Sequence, residues 1–482
     1  MAGSDSGLVT KNFIWRFLER TGAQFMNLIV SIVLARLIAP EIYGSIALVT
    51  VLITIMQVFV DSGLGIALIQ KKNADDTDFS SVFYFNIVMC LVLYAAVFFA
   101  APYIAKFYDD EALTGVIRVL SLSLVISGVK NVQQAYVSRN MLFKRFFFST
   151  LGGITFSAIL GIWMAYRGFG IWALVAQYAS NVAVDTAILW ITVNWRPKLC
   201  FSFERLKGLF SYGWKLLFSS LLETVYQDIR QLVIGKMYTS SDLAFYNRGS
   251  QFPKVIVGNV NTSIDSVLLP TMSKAQDDKT VVKEMTRKAI KVSTYLIAPL
   301  MIGLAFVSDS LVKLLLTEKW LPCVPYLVIF CITYMFYPIH TANLNALKAM
   351  GRSDYYLKLE ITKKILGFAV LIATMWFGPL VMCASGILSS FIGQVINTWP
   401  NKKLLGYSLI EQYKDIAPSI LLALFMGVCV FVIGTFLPFP TILTLIIQII
   451  VGAGIYIGLS IALKIDTFYY LLDVLKALIK GK

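Results

Sequence analysis

The stretch FIWRFLERTGAQFMNLIVSIVLARL, residues 13–37, sets the problem on which the fold turns. Its second half is an apolar run suited to a bilayer, yet Arg16, Glu19 and Arg20 stand at its head. At 1.5 Å per residue, Arg20 lies roughly 13 Å along a helix beginning at residue 11, deeper than a headgroup anchor needs. Helical spacing puts Arg16, Arg20, Gln24, Asn27 and Ser31 on one stripe. Glu19 falls beside both arginines, near enough to offset part of their charge. Snorkelling to headgroups would account for Arg16 and, less well, for Arg20. It does not account for Gln24 and Asn27 farther along, so the stripe is expected to face a water-filled cavity.

The rest of the chain shares this apolar character. Of 482 residues, 58% are hydrophobic and only 14% charged, where a soluble protein would carry about a quarter. About fourteen segments of roughly 20 apolar residues follow one another. Lipid offers backbone groups no partners, and the alternation that marks a barrel is absent, so each segment is predicted to be a helix. The predicted helices lie near 11–37, 42–70, 80–102, 112–137, 146–167, 171–194, 207–236, 242–271, 284–308, 322–349, 356–377, 380–400, 414–436 and 440–463. The expected fold class is an all-α polytopic membrane protein. No signal peptide is expected, and the leading MAGSDS has the look of an expression remnant. The six cysteines are scattered without a C-x-x-C pair, which favours ordinary thiols over a metal or redox site.

The net charge of +15 is sorted by loop. Lys71, Lys72, Arg139, Lys144, Arg145, Arg196, Lys198, Lys402 and Lys403 fall in one set of loops; the alternate loops hold few cations and one acidic tract, YDDEA at 108–112. This positive-inside bias puts the rich set of loops, and both termini, in the cytoplasm. It orients the protein and implies no nucleic-acid partner.

The halves resemble one another. Trp15-Arg16 recurs as Trp214-Lys215, Asp61-Ser62 as Asp265-Ser266, Asp75-Asp76 as Asp277-Asp278, and Phe169-Gly170 as Phe377-Gly378, at a separation that stays near 200 residues. Six helices per copy make these parallel repeats about an axis normal to the membrane. The expected organisation is an N-terminal lobe over 1–200, a C-terminal lobe over 201–408, and a final helix pair with a cytoplasmic tail over 409–482. The stripe of the first helix then has a counterpart on the seventh: Lys215, Ser219, Glu223, Tyr226 and Arg230.

The eighth segment contains YNRGSQFPKVIVGNVNTSIDS, 246–266, with Arg248 and Lys254 in its outer half and Pro253 expected to break the helix there. Broken helices carrying cations commonly line a pathway. Lys130 and Lys364 are further candidates. Asp61, Asp185 and Asp265 suit proton relay or cation binding, and equally helix packing. His340, the sole histidine, reads as a packed polar group, and Gly454 with Gly458 as a close helix contact. Nothing resembles a phosphate loop, a zinc motif or a nucleophile with its base, so no enzyme and no cofactor are expected.

VLARLIAPEIYGSIALV (33–49) followed by DSGLGIALIQKK (61–72) resembles the helix 1–2 signature of Wzx-type polysaccharide exporters, especially the colanic-acid and teichuronic-acid branch. SVLLPTMSKAQDD (266–278) and TEKWLPCVPYLVIFC (317–331) resemble that branch's second-half segments. The resemblance covers nearly the whole chain. It implies the multidrug/oligosaccharidyl-lipid/polysaccharide exporter superfamily, and a flippase that moves undecaprenyl-diphosphate-linked oligosaccharide by alternating access. The implied partners are that lipid-linked substrate, the bilayer and polysaccharide polymerase machinery; coupling to protons or sodium is left open. Lipid II flippases of the superfamily use a cationic cavity with arginines on the first helix, a feature that Arg16 and Arg20 match by helix and depth. The competing expectations are a cation-coupled multidrug antiporter, poorly served by a positively lined cavity, and a membrane scaffold, which leaves the polar stripes without a purpose.

Overall fold

The computed structural model describes residues 2–61, 63–436 and 440–479. Ser62, and with it one member of the Asp-Ser repeat, lies outside the described residues. Every regular element is helical among the described residues.

The first half comprises α1 (Ala2–Leu37), α2 (Pro40–Asp61), α3 (Leu64–Gln70), α4 (Asp76–Phe107), α5 (Leu113–Arg139), α6 (Phe143–Tyr166) and α7 (Ile171–Thr192). The second begins with α8 (Phe203–Met237), α9 (Ser240–Lys274), α10 (Lys279–Phe306) and the short α11 (Ser308–Leu315). It continues with α12 (Val324–Met335), α13 (Tyr337–Ala349), α14 (Ser353–Thr374) and α15 (Pro379–Leu405). The chain closes with α16 (Leu409–Phe436), α17 (Thr441–Ala462) and α18 (Asp466–Ile479).

Ten helical segments among the described residues are long and apolar enough to cross a membrane. The predicted spans outside that set are α1, α8, α9 and α14, which have 36, 35, 35 and 22 residues. They have the length to span; their polar and charged side chains set them apart. Two predicted segments are interrupted. The second divides into α2 and α3 at Gly63, whose φ of 49° suits glycine. The tenth divides into α12 and α13 beside Pro338, which withdraws a backbone donor. Pro253 does not interrupt its helix: α9 runs unbroken past both Pro253 and Pro270. A membrane helix tolerates the loss of one ladder bond when its surroundings satisfy the freed carbonyl.

The chain forms two compact units, Met1–Ala244 and Phe245–Lys482. In the first, Val30, Leu34, Ile38, Ile154, Ala158 and Leu174 pack α1 against α6 and α7. A second cluster joins Leu64, Leu68, Phe79, Phe83, Val132 and Trp195 around α3, α4 and α5. In the second unit, Met272, Val282, Ile290, Ile339, Ala346 and Ile416 form a comparable core. The first unit includes α8, although the sequence repeat makes it the opening helix of the second copy. Close backbone approach holds it there: a Cβ on Gly63 would lie 2.2 Å from the Gly213 carbonyl oxygen.

Local structure follows the repeat. Asp75 is the N-cap of α4, accepting from the backbone of Thr77 and Asp78; Asp278 is the N-cap of α10, accepting from Thr280 and Val281. Gly170 and Gly378, with φ of 57° and 109°, precede α7 and α15. The stretch between α7 and α8 is docked on the start of α4. There Lys198 pairs with Asp76 at 2.6 Å and Arg205 with Asp75, Trp195 donates to Asp76, and Ser80 and Ser81 accept from the backbone of Lys198 and Ser202. Arg205 holds the Asp75 carboxyl well below its usual range, at about 2. Gly454 and Gly458 make no close contact among the described residues, since a Cβ at either would meet nothing within 4 Å.

Candidate functional site: polar helices and their carboxylates

The stripe on α1 divides into two parts. Arg16 Nη1 lies 2.6 Å from Glu19 Oε2, and its guanidinium sits 5.1 Å from the centroid of the Phe146 ring and 5.7 Å from that of Phe143. Glu19 is buried, and its other oxygen accepts from Thr150 at 3.4 Å. These contacts bind α1 to α6, so Arg16 is engaged inside its own unit. Glu19 was expected to temper both arginines; it pairs with Arg16. Arg20, Gln24 and Asn27 are exposed, and among the described residues Arg20 has no carboxylate partner. The exposed apolar side chains of α1 include Ile14, Leu18, Phe25 and Ile29, which helical geometry places on the opposite side from Arg20.

The counterpart stripe on α8 is also graded. Lys215 and Ser219 are exposed, whereas Glu223, Tyr226 and Arg230 are half-buried. Gln227 donates to Glu223 at 2.8 Å, and Gln231 to Asp228 at 2.7 Å. In the second unit Arg248 is buried, donating to Gln251 at 2.7 Å and lying over the Trp320 ring at 5.3 Å. Lys254, which sequence alone coupled to it, is exposed. Lys364 lies 4.0 Å from Glu360.

The aspartates fall into a repeated arrangement. Asp61, at the end of α2, accepts from Gln57 at 3.2 Å and from Asn131 of α5 at 3.2 Å. Asn131 in turn accepts from Asn86 of α4 at 3.3 Å. In the second copy Asp265 of α9 accepts from Asn345 of α13 at 2.6 Å. Asn261, which occupies the place of Gln57, is buried and its amide has no hydrogen-bond partner among the described residues. Its side chain is one methylene shorter than glutamine's.

A second helix pair is matched in position but not in charge. In the first unit Lys130 of α5 bonds Asp185 of α7 at 3.0 Å, with both side chains about 15% exposed. In the second unit the corresponding helices meet through neutral groups: His340 lies 3.0 Å from the Asn397 amide nitrogen and 3.3 Å from Ser390 Oγ. Sequence reasoning passed over Asn86, Asn131, Asn397 and Asn401. Only Asn86, an isolated amide in FYFNIVMC (83–90), carried a sequence signal; Asn401 bonds Asn343, which also bonds Gln412 and so ties α16 to α13 and α15.

A family model described as "Polysaccharide biosynthesis protein" matches residues 33–325. The Bacillus subtilis teichuronic acid biosynthesis protein TuaB is 27% identical over 383 residues, covering 78% of each chain. The Escherichia coli lipopolysaccharide biosynthesis protein WzxC is 25% identical, covering 77% of this chain and 76% of its own. Among solved structures, the lipid II flippase MurJ in an inward closed conformation superposes with a TM-score of 0.77 at 16% identity, covering 94% of this chain and 99% of its own. An inward-facing MATE family multidrug transporter gives 0.61 at 14% identity, over 80% and 96%. The all-α fold is therefore that of the MurJ and MATE transporters, and the chain belongs to the polysaccharide biosynthesis protein family.

Proposed function

We propose that this protein is a flippase that moves undecaprenyl-diphosphate-linked oligosaccharide units across the bacterial cytoplasmic membrane by alternating access, for surface polysaccharide synthesis. The observation that carries this reading is the polar stripe of α1, where Arg20 stands exposed without a carboxylate partner beside Gln24 and Asn27. A diphosphate crossing low dielectric loses its hydration at a cost of several kcal/mol or more. Cations along a hydrated path lower that barrier by charge-assisted hydrogen bonds. In this reading Arg20 and Lys215 meet the diphosphate first, Lys254 and Arg230 line the farther part of the path, and Gln24 and Asn27 contact sugars. Arg16 and Arg248, both engaged by aromatic rings and polar neighbours, shape the path from behind.

The repeat-based lobes over 1–200 and 201–408 are the bodies that move, and the pair α16 and α17 offers a surface to the polyprenyl chain. The loop charges support a cytoplasmic position for both termini. Asp61, Asp185 and Asp265 are the groups through which an ion gradient would act. Polymerase machinery is the expected recipient of the flipped product. The test is surface polysaccharide output and accumulation of the cytoplasmic-side lipid-linked intermediate after Arg20→Ala and Lys215→Ala. Export is expected to fall with both proteins present at normal levels; full export by both variants overturns the cationic path.

The resemblance to a MATE transporter fold keeps a multidrug antiporter as the second reading. It predicts altered drug susceptibility in a deletion strain and unchanged polysaccharide.

A further inference from the structure

The acidic tract 108–112 has a structural partner. Lys236, in the last turn of α8, places its Nζ 2.9 Å from Asp109 Oδ2 and donates to the Phe107 carbonyl oxygen. Its ammonium lies 4.9 Å from the centroid of the Phe107 ring. Asp110 accepts from Ser45 Oγ of α2 at 3.0 Å, and Ser241 donates to Glu41 Oε1 at the start of α2, also at 3.0 Å. Between these polar contacts the helices pack closely: a Cβ on Gly235 would lie 2.2 Å from the Leu48 side chain. The end of α8 is thus held by an ion pair and close packing, and the start of α9 is tied to α2 by a hydroxyl–carboxylate bond, all within one compact unit. At its opposite end α8 meets α2 differently, glycine against glycine at Gly213 and Gly63.

We infer that Lys236 and Asp109 form a latch that closes this end of the α2–α8 contact, and that its release is a step in opening the protein toward that side. The inference rests on the transporter reading. By sequence α8 opens the second repeat, yet it packs on α2 and α3 of the first. Any displacement of the repeats against each other must break or carry these contacts. The pair is partly exposed, with side-chain exposures of 38% and 81%, so salt screens it and it opens at little cost, as a reversible latch requires. Glycine–glycine contact at the other end offers shape without charge. The two ends therefore respond differently to salt and to charge substitution.

The test uses the full chain in lipid nanodiscs, where orientation and substrate do not enter. Leu48 is 3% exposed, and Leu48→Cys reports opening through its rate of modification by a hydrophilic maleimide; the protein without that substitution supplies the background of its native thiols. Asp109→Ala and Lys236→Ala are each expected to raise the rate several-fold, as is raised salt on the reporter alone. The exchanged pair, Asp109→Lys with Lys236→Asp, is expected to bring the rate back toward that of the reporter. Ser45→Cys, buried in the same contact, serves as a second reporter should Leu48→Cys lower folding yield. Equal rates in all variants overturn the latch, as does an exchanged pair that labels as fast as the single variants. Loss of transport with normal latch behaviour would instead count against the proposed substrate.

Discussion

Asn345 donates to Asp265 at 2.6 Å, and Asn131 donates to Asp61 at 3.2 Å at the equivalent place in the first copy. The repeat read from short dipeptides therefore extends to a tertiary bond between the same pair of helices. Both carboxylates are exposed, whereas the donor Asn345 is buried, so loss of the donor leaves an oxygen that solvent can reach. Asn345→Leu is expected to destabilise the protein by about 0.5–1.5 kcal/mol, the net worth of one hydrogen bond. Asn261→Leu should act in the opposite sense, by about 1 kcal/mol, because it removes an amide without a protein partner. Thermal unfolding of purified variants in one detergent checks both, and a loss in both would show that Asn261 has an unseen role.

Arg16 and Arg20 separate by the same reasoning. Arg16→Ala removes the partner of buried Glu19, so its expected effect is reduced yield and a lower melting temperature. Arg20→Ala removes an exposed cation, so yield should hold while transport falls about tenfold or more, the equivalent of one lost charge-assisted bond of about 1.4 kcal/mol or above. Fluorescence-detected gel filtration gives the first quantity and export the second.

Lys130 and Asp185 form an ion pair inside the first unit, with one carboxylate oxygen of Asp185 buried and without a hydrogen-bond partner. Lys130→Met alone leaves a charge unpaired and is expected to cost about 3–5 kcal/mol, whereas Lys130→Met with Asp185→Leu should recover most of it. If the double variant folds as well as the parent but no longer transports, the pair is functional; if it folds and transports, the pair is only a packing solution.

Asp75 supplies a pH dependence outside the membrane segments. Its folded value is depressed to about 2 by Arg205 from an unfolded value of about 3.9. The contribution is therefore complete above about pH 4 and is lost as the pH falls toward 2. Limited proteolysis of the 193–203 stretch should accelerate over that window, and Asp75→Asn should accelerate it at neutral pH.

The membrane class was legible because composition and segment length are properties of the whole chain, and the repeat was legible because Asp61 and Asp265, or Gly170 and Gly378, serve the same local need in each copy. The role of Arg16 was not, since Phe143, Phe146 and Thr150 lie on a helix far away in sequence. The continuity of α9 past Pro253 was missed for a related reason: surroundings, not the residue alone, decide whether a membrane helix breaks. Gly454 and Gly458 suggested a close contact that is not made among the described residues, because small residues permit an approach without requiring one.

The central claim is that exposed cations on α1 and α8 carry a diphosphate-linked glycan across the bilayer. Its most direct test is flipping of a labelled lipid-linked oligosaccharide in liposomes holding the purified protein, compared with the Arg20→Ala and Lys215→Ala double variant at equal protein density. The account predicts rapid movement by the parent and a loss of about tenfold or more in the variant. Movement by the variant at the parent's rate, or none by the parent itself, would contradict it.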